Sequence, residues 1–156
     1  MRINDLTEAK KLDPDLWDEL YVGPIKKIAQ QAFSTVYPGI RLNVVESDIV
    51  YISTAKDPEV MSAYGMKDPG ANADEFYLAL GCSVSEGIIC VKVANATAGK
   101  YKGAVAKIIK GIFEYAIKKW GTPVSAQLLI DNDTSGGQWE RIAAQLGVEY
   151  VDEEPY

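Results

Sequence analysis

The side chains that could move a proton in this chain are carboxylates and phenols, because its 156 residues include no histidine. Ser-His-Asp and Cys-His catalysis are therefore excluded, and a general base must be a carboxylate or a water held by one. We take Glu46 and Glu86 as candidate bases and Tyr77 as a candidate acid, although each position also suits an ordinary solvated or structural side chain. No spacing selects these over the other candidates, which are Asp48, Tyr64, Asp74, Glu75 and Tyr101.

A second group of residues could bind phosphate. The run from Lys100 to Val105 reads Lys-Tyr-Lys-Gly-Ala-Val and directly precedes a strongly periodic apolar segment. Backbone N–H groups and the positive end of a helix dipole attract phosphate, so the run predicts an anion site at a helix start. The alternative is that the two lysines only solvate the helix start and that Gly103 relieves crowding.

The two cysteines, Cys82 and Cys90, do not indicate a metal site. They are eight residues apart, no Cys-x-x-Cys pair is present, and histidine is absent, so we predict no bound metal. A cross-strand disulfide is compatible with this spacing, and two buried reduced thiols are the interpretation that we prefer.

These residues must be positioned by helices and strands that the apolar spacing predicts. Residues 1–12 form a polar segment, and 13–156 read as one domain without repeats or linkers. The domain is expected to be α/β (α+β), with helices flanking a mixed, mostly antiparallel sheet. The predicted elements are helices from Asp13 and over 25–35, one or two strands within 41–54, a long loop over 55–74, a hairpin over 76–93, a small-residue loop over 95–100, a helix over 103–120, a strand over 124–130, a last helix with Trp139 and Ile142 on its apolar face, and a strand over 148–151.

The segment from about Ile88 to Val151 resembles the core of the GNAT superfamily of acetyl-CoA-dependent N-acyltransferases. In that family a central strand, a loop and a long helix hold the pyrophosphate of acetyl-CoA. The resemblance implies a GNAT-like fold, shortened at the C-terminus, in which acetyl-CoA contacts Val91, Val93, Lys100, Lys102, Gly103, Ala104 and Asn132. Three positions depart from the family pattern, since Lys100 replaces a glutamine or arginine, Val105 replaces a small residue, and Ala143 stands where many members carry a tyrosine.

Three functions are compatible with these observations. The first is an acetyl-CoA-dependent N-acetyltransferase that acts on a small-molecule or peptide amine. The second is a catalytically inactive GNAT-like domain that serves as a structural or protein-binding component, for instance of a phage particle. The third is an unrelated α/β binding module with the same element order.

Composition limits the partners. The formal net charge of −6 argues against binding of nucleic acid, and no apolar run reaches the length of a membrane span. The first six residues, Met1 to Leu6, resemble the start of small bacteriophage proteins. We therefore expect a cytoplasmic or virion protein without a membrane partner, which could form a homo-oligomer or bind another protein.

Overall fold

The computed structural model describes residues 23–46, 49–55, 75–131, 133 and 135–153. The predicted segment 1–12, the predicted helix at Asp13, residues 56–74 of the predicted loop, and the candidate residue Asn132 lie outside these ranges. Within them, the elements are α1 (Gly23–Val36), β1 (Asn43–Glu46), β2 (Val50–Ser53), β3 (Tyr77–Ser85), β4 (Ile88–Thr97), α2 (Ala104–Trp120), β5 (Ser125–Asp131), α3 (Gln138–Leu146) and β6 (Glu149–Glu153).

The six strands form one sheet in which spatial order equals chain order, from β1 to β6. The pairs β1–β2, β2–β3 and β3–β4 are antiparallel, whereas the pairs β4–β5 and β5–β6 are parallel. A mixed sheet flanked by helices is the fold class that the sequence predicts, and the structure confirms it. The two strands within 41–54 are β1 and β2, which pair from Asn43–Ser53 to Glu46–Val50.

The predicted hairpin is formed by β3 and β4. Its turn consists of Glu86 and Gly87, whose φ angles are 51° and 80°. Positive φ at both central residues gives a twist that matches antiparallel strands, so this two-residue turn fixes their register. Cys82 pairs with Val91, and Ser83 pairs with Cys90.

The strand β4 is longer than expected, because residues 95–97, predicted as loop, belong to it. A β-bulge between Ala79 and Leu80 shifts the register, so that Leu80 pairs with Val93 and Ala79 with Asn95. The antiparallel ladder then continues to the pair of Tyr77 and Thr97. The pairing partner, rather than the propensity of the small residues, therefore determines where β4 ends.

Helix α2 carries the clearest sequence signal, and the structure confirms it. Its buried side chains recur every three or four residues and are Ala104, Val105, Ile108, Ile109, Ile112, Phe113, Ala116 and Trp120. The helix ends where Gly121, at φ 93°, donates its N–H to the carbonyl oxygen of Ile117 at 2.7 Å. Lys118 and Lys119 in the last turn suit the negative end of the helix dipole.

The main core lies on one face of the sheet. It joins buried residues of all three helices to alternate strand residues such as Leu80, Val91 and Leu128. The intervening residues Tyr77 and Ala79 form a small second cluster, as expected for side chains that point to the opposite face.

The two cysteines differ in burial. Cys82 is buried in the main core, whereas Cys90 is half-buried, and neither is disulfide-bonded. Burial, with a smaller contribution from Cys90, raises the pKa of the Cys82 thiol, which keeps it protonated.

Candidate functional site

A cleft of about 690 Å³ opens where β4 and β5 diverge. Their parallel ladder ends at the pair of Val93 and Ile130, and β4 then continues along β3 to Thr97. The cleft thus lies beyond the carboxyl ends of two parallel strands, between the first turns of α2 and α3. This is the edge of an open α/β sheet at which ligands commonly bind.

The floor of the cleft is apolar. Val93 and Ile130 line it from the strands, Val105 from α2, and Trp139 and Ile142 from α3. Its volume lies in the range of small-molecule sites, which combine an apolar lining with a few polar groups. The cleft therefore suits a ligand with an organic part as well as polar substituents.

One wall of the cleft is the start of α2. Gly103 caps this helix at φ 87° and ψ −15°, and no side chain accepts hydrogen bonds from the first turn. Ala104 donates its N–H to the carbonyl oxygen of Tyr101 at 3.3 Å. Within the described part of the chain, the N–H groups of Val105 and Ala106 have no acceptor, and both residues line the cleft. The 17-residue helix therefore directs two free donors and its positive dipole end at the cleft.

The facing wall is formed by α3 and the residues before it. Ser135 accepts a hydrogen bond from the N–H of Trp139 at 3.3 Å. Arg141, two residues after Trp139 on α3, lines the cleft and is exposed. Together with Lys102 on the opposite wall, it gives the cleft two cations, against one described acid, Asp131. The lining therefore favours an anionic ligand.

The loop before α2 is held by an aromatic cluster. The rings of Phe33 and Tyr37 pack against Tyr101, which is only 9% exposed, and Phe76 packs against Phe33, with neighbouring ring centroids 5.1–5.5 Å apart. Tyr37 also donates its hydroxyl to the carbonyl oxygen of Lys102 at 2.7 Å. This carbonyl therefore turns towards α1, and the start of α2 has a fixed backbone.

The loop after β5 is held by Asp133. Its carboxylate accepts hydrogen bonds from the Tyr150 hydroxyl and from the N–H of Ser135. Burial by itself would raise the pKa of Asp133, but the hydrogen bonds from Tyr150 and Ser135 outweigh it, and the pKa is lowered. Burial raises the pKa of Tyr150, and the hydrogen bond to Asp133 and nearby negative charges add to this effect.

The three residues considered for catalysis do not come together at the cleft. Glu46 lies on the edge strand β1, three strands from β4, which is about 14 Å at the usual strand spacing. Glu86 lies in the turn before β4, beyond Ile88, which is itself about 17 Å along the strand from Val93. Tyr77 pairs with Thr97 at the cleft end of the sheet, but its side chain is buried in the second cluster.

The residues considered for cofactor binding divide into two sets. Val93, Lys102 and Gly103 line the cleft. Val91 on β4 and Ala104, the first residue of α2, are buried in the core instead. The ammonium group of Lys100 lies 5.5 Å from the ring centroid of Tyr101, outside the lining.

Sequence reasoning did not identify the α3 wall. Gln138, Arg141 and Gln145 line the cleft, and their spacing of three and four residues places them on one helix face. That polar spacing was the available signal. The apolar spacing of α3 predicts Trp139 as a core residue, and it does pack against the core. Its partly exposed ring also lines the cleft.

Two other properties concern only the described residues. They contain no group of three or more potential ligands, from histidine, cysteine, aspartate and glutamate, that could hold a metal ion. None of their helices has the length and apolar character needed to cross a bilayer.

Comparison with known proteins returns little. No family model and no curated protein matches the sequence. Among solved structures, the chain is similar to one described as the structure of EndoMS in apo form, with 18% identity and a TM-score of 0.31. The match covers 76% of this chain and 66% of the EndoMS chain, just under two thirds of its length.

These comparisons correct the family assignment. The resemblance to the GNAT superfamily predicts a match to N-acetyltransferases, and the comparisons return none. The assignment to that superfamily is therefore wrong, as are both functions that depend on it, the acetyl-CoA-dependent acetyltransferase and the inactive GNAT-like component. The motif behind the assignment was short, and an anion-binding helix start is common to many unrelated proteins.

Proposed function

We propose that this protein is a binding module for a small phosphate-bearing molecule, which occupies the cleft between α2 and α3. The observation that supports the proposal most strongly is the uncapped start of α2. Its free N–H groups at Val105 and Ala106 face a cleft that also contains Lys102. Phosphate at a helix N-terminus satisfies such donors and interacts favourably with the dipole.

The rest of the lining suggests what else the ligand contains. Val93, Ile130 and Ile142 offer apolar contact beside the anion site. The ring of Trp139 offers a surface on which a planar group could stack. A phosphate ester with an organic part thus fits better than inorganic phosphate alone. Acetyl-CoA, the cofactor predicted from the sequence, belongs to this class and stays a prediction.

The test is isothermal titration of the full chain with pyrophosphate, ATP and coenzyme A, with adenosine as the ligand that lacks phosphate. We expect saturable binding of at least one phosphate-bearing ligand and none of adenosine. Lys102→Glu should weaken that binding about tenfold, because it replaces a charge-assisted contact by repulsion.

The matched control is Lys100→Glu, which makes the same charge change two residues away. Lys100 lies outside the cleft lining, so this variant should bind within about twofold of the wild type, as expected for a screened surface charge. Equal loss in both variants would reduce the effect to net charge. No binding of any phosphate-bearing ligand at millimolar concentration would refute the proposal.

A further inference from the structure

A second concave surface, which shares no lining residue with the cleft, lies beside α1. This α1 groove has a volume of about 380 Å³ and is lined by Lys26, Lys27, Gln30, Gln31, Arg41 and Leu42. Three of these six side chains are cations and none is an acid. In a chain whose formal net charge is −6, such a local excess of positive charge is unusual.

The positions of these cations do not favour the stability of α1. Lys26 and Lys27 are near the start of α1, whose first turn contains no acid and whose last turn contains no base. Positive charge at a helix N-terminus opposes the helix dipole and is destabilising. No ion pair within the described ranges engages Lys26, Lys27 or Arg41. Within these ranges, no acid neutralises their charge.

The backbone around the groove is well fixed. Gln30 accepts a hydrogen bond from the N–H of Leu42 at 2.8 Å and donates to the carbonyl oxygen of Ile40 at 2.9 Å. These bonds hold the segment that carries Arg41 against α1. The cations thus lie on two segments that the part-buried hydrogen bonds of Gln30 hold together.

The arrangement of the cations distinguishes between possible anions. Lys26 and Lys27 are adjacent on a helix, so their side chains leave it about 100° apart, and Arg41 lies on a separate segment. Charges that diverge in this way suit several anionic groups spaced along a chain better than one compact phosphate. A nucleic acid carries its negative charges at higher density than a peptide with carboxylate side chains, so the formal net charge of −6 disfavours nucleic acid more strongly.

We propose that the α1 groove binds a carboxylate-rich polypeptide segment of a partner protein. Aspartate and glutamate side chains along an extended segment would pair with Lys26, Lys27 and Arg41, while the segment backbone meets the amide of Gln31. This interaction is separate from the cleft, since the two linings share no residue.

The test measures fluorescence anisotropy of a labelled hexaglutamate peptide with the full chain, with a hexaserine peptide of equal length as the neutral probe. We expect hexaglutamate to bind and hexaserine not to bind. Lys27→Glu and Arg41→Glu should each raise Kd about fivefold or more. Both side chains are exposed, and an acid near the start of α1 suits the dipole, so circular dichroism should show a folded protein.

Two controls make the result specific. Lys107→Glu, on the exposed side of α2, changes the net charge equally and should leave Kd within about twofold. Lys102→Glu should also leave it unchanged, which separates the groove from the cleft. Equal weakening by Lys107→Glu, or equal binding of hexaserine, would overturn the proposal. So would efficient displacement of the peptide by inorganic phosphate relative to chloride at the same ionic strength, because the groove would then be a phosphate site.

Discussion

At the scale of single residues, Asp133 shows how a loop beside the cleft is stabilised. Its carboxylate is bonded to Tyr150 on β6 and to Ser135 in front of α3, while its N–H donates to Asp152 at 3.3 Å. One side chain therefore connects the end of β5 to the next strand and the next helix. Removing it should cost stability without emptying the core.

We predict that Asp133→Asn is less stable than the wild type by about 1 kcal/mol at pH 7, as expected for partly exposed charge-assisted hydrogen bonds. Because folding lowers the pKa of Asp133 from 3.8, its contribution is present above pH 3.8 and is lost as the pH falls through the lowered value. Urea unfolding of both proteins from pH 3 to pH 7 checks this, and the difference in free energy should shrink at the acid end.

Tyr150, which donates the hydrogen bond to Asp133, should make stability depend on pH in the alkaline range. Its pKa is raised above 10, so its contribution is complete below pH 10 and is lost as the pH rises through the raised value. Tyr150→Phe should therefore differ most from the wild type between about pH 4 and pH 10. A difference that stays constant across the whole range would show that the hydrogen bond between the two side chains does not contribute.

At the scale of elements, the crossing of α1 and α2 leaves no room for a side chain at Gly111. A Cβ atom added at Gly111 would lie 2.8 Å from Cγ2 of Ile28, which is shorter than a van der Waals contact. This methyl branches at Cβ and cannot easily rotate away. The glycine is therefore required by packing, since its backbone is helical and needs no positive φ.

We predict that Gly111→Ala destabilises the protein by about 1 kcal/mol, because overpacking by roughly 1–3 kcal/mol exceeds the roughly 1 kcal/mol gain in helix propensity. The same substitution in an Ile28→Leu background, where Cγ2 is absent, should be neutral or stabilising. Thermal unfolding of the four proteins in this double-mutant cycle measures the coupling. If Gly111→Ala alone raised the Tm, the contact would not limit the packing.

At the scale of the whole molecule, the sequence predicted elements better than sites. Apolar spacing identified α2 and the hairpin of β3 and β4, because periodicity reports directly which face is buried. It did not identify the bulge at Ala79 or the extension of β4, because both depend on pairing between strands. The sequence singled out Lys102 and Gly103, which line one wall of the cleft, and their role in binding stays a prediction. The other wall comes from α3, and only the tertiary fold brings α3 to face α2 across the cleft. The positions of Glu46 and Glu86 relative to the cleft likewise depend on the order of the strands in the sheet.

The identity of sheet order and chain order has a consequence for how the protein reaches this fold. Among the six strands that the structure describes, each pairs only with the strands next to it in the chain. During synthesis the sheet can thus grow in one direction, each new strand adding to an edge that already exists, without waiting for a distant segment to be inserted between two others. Pairings between consecutive elements lower the entropic barrier to folding. We therefore expect the antiparallel half, from β1 to β4, to serve on the ribosome as the template on which β5 and β6 assemble.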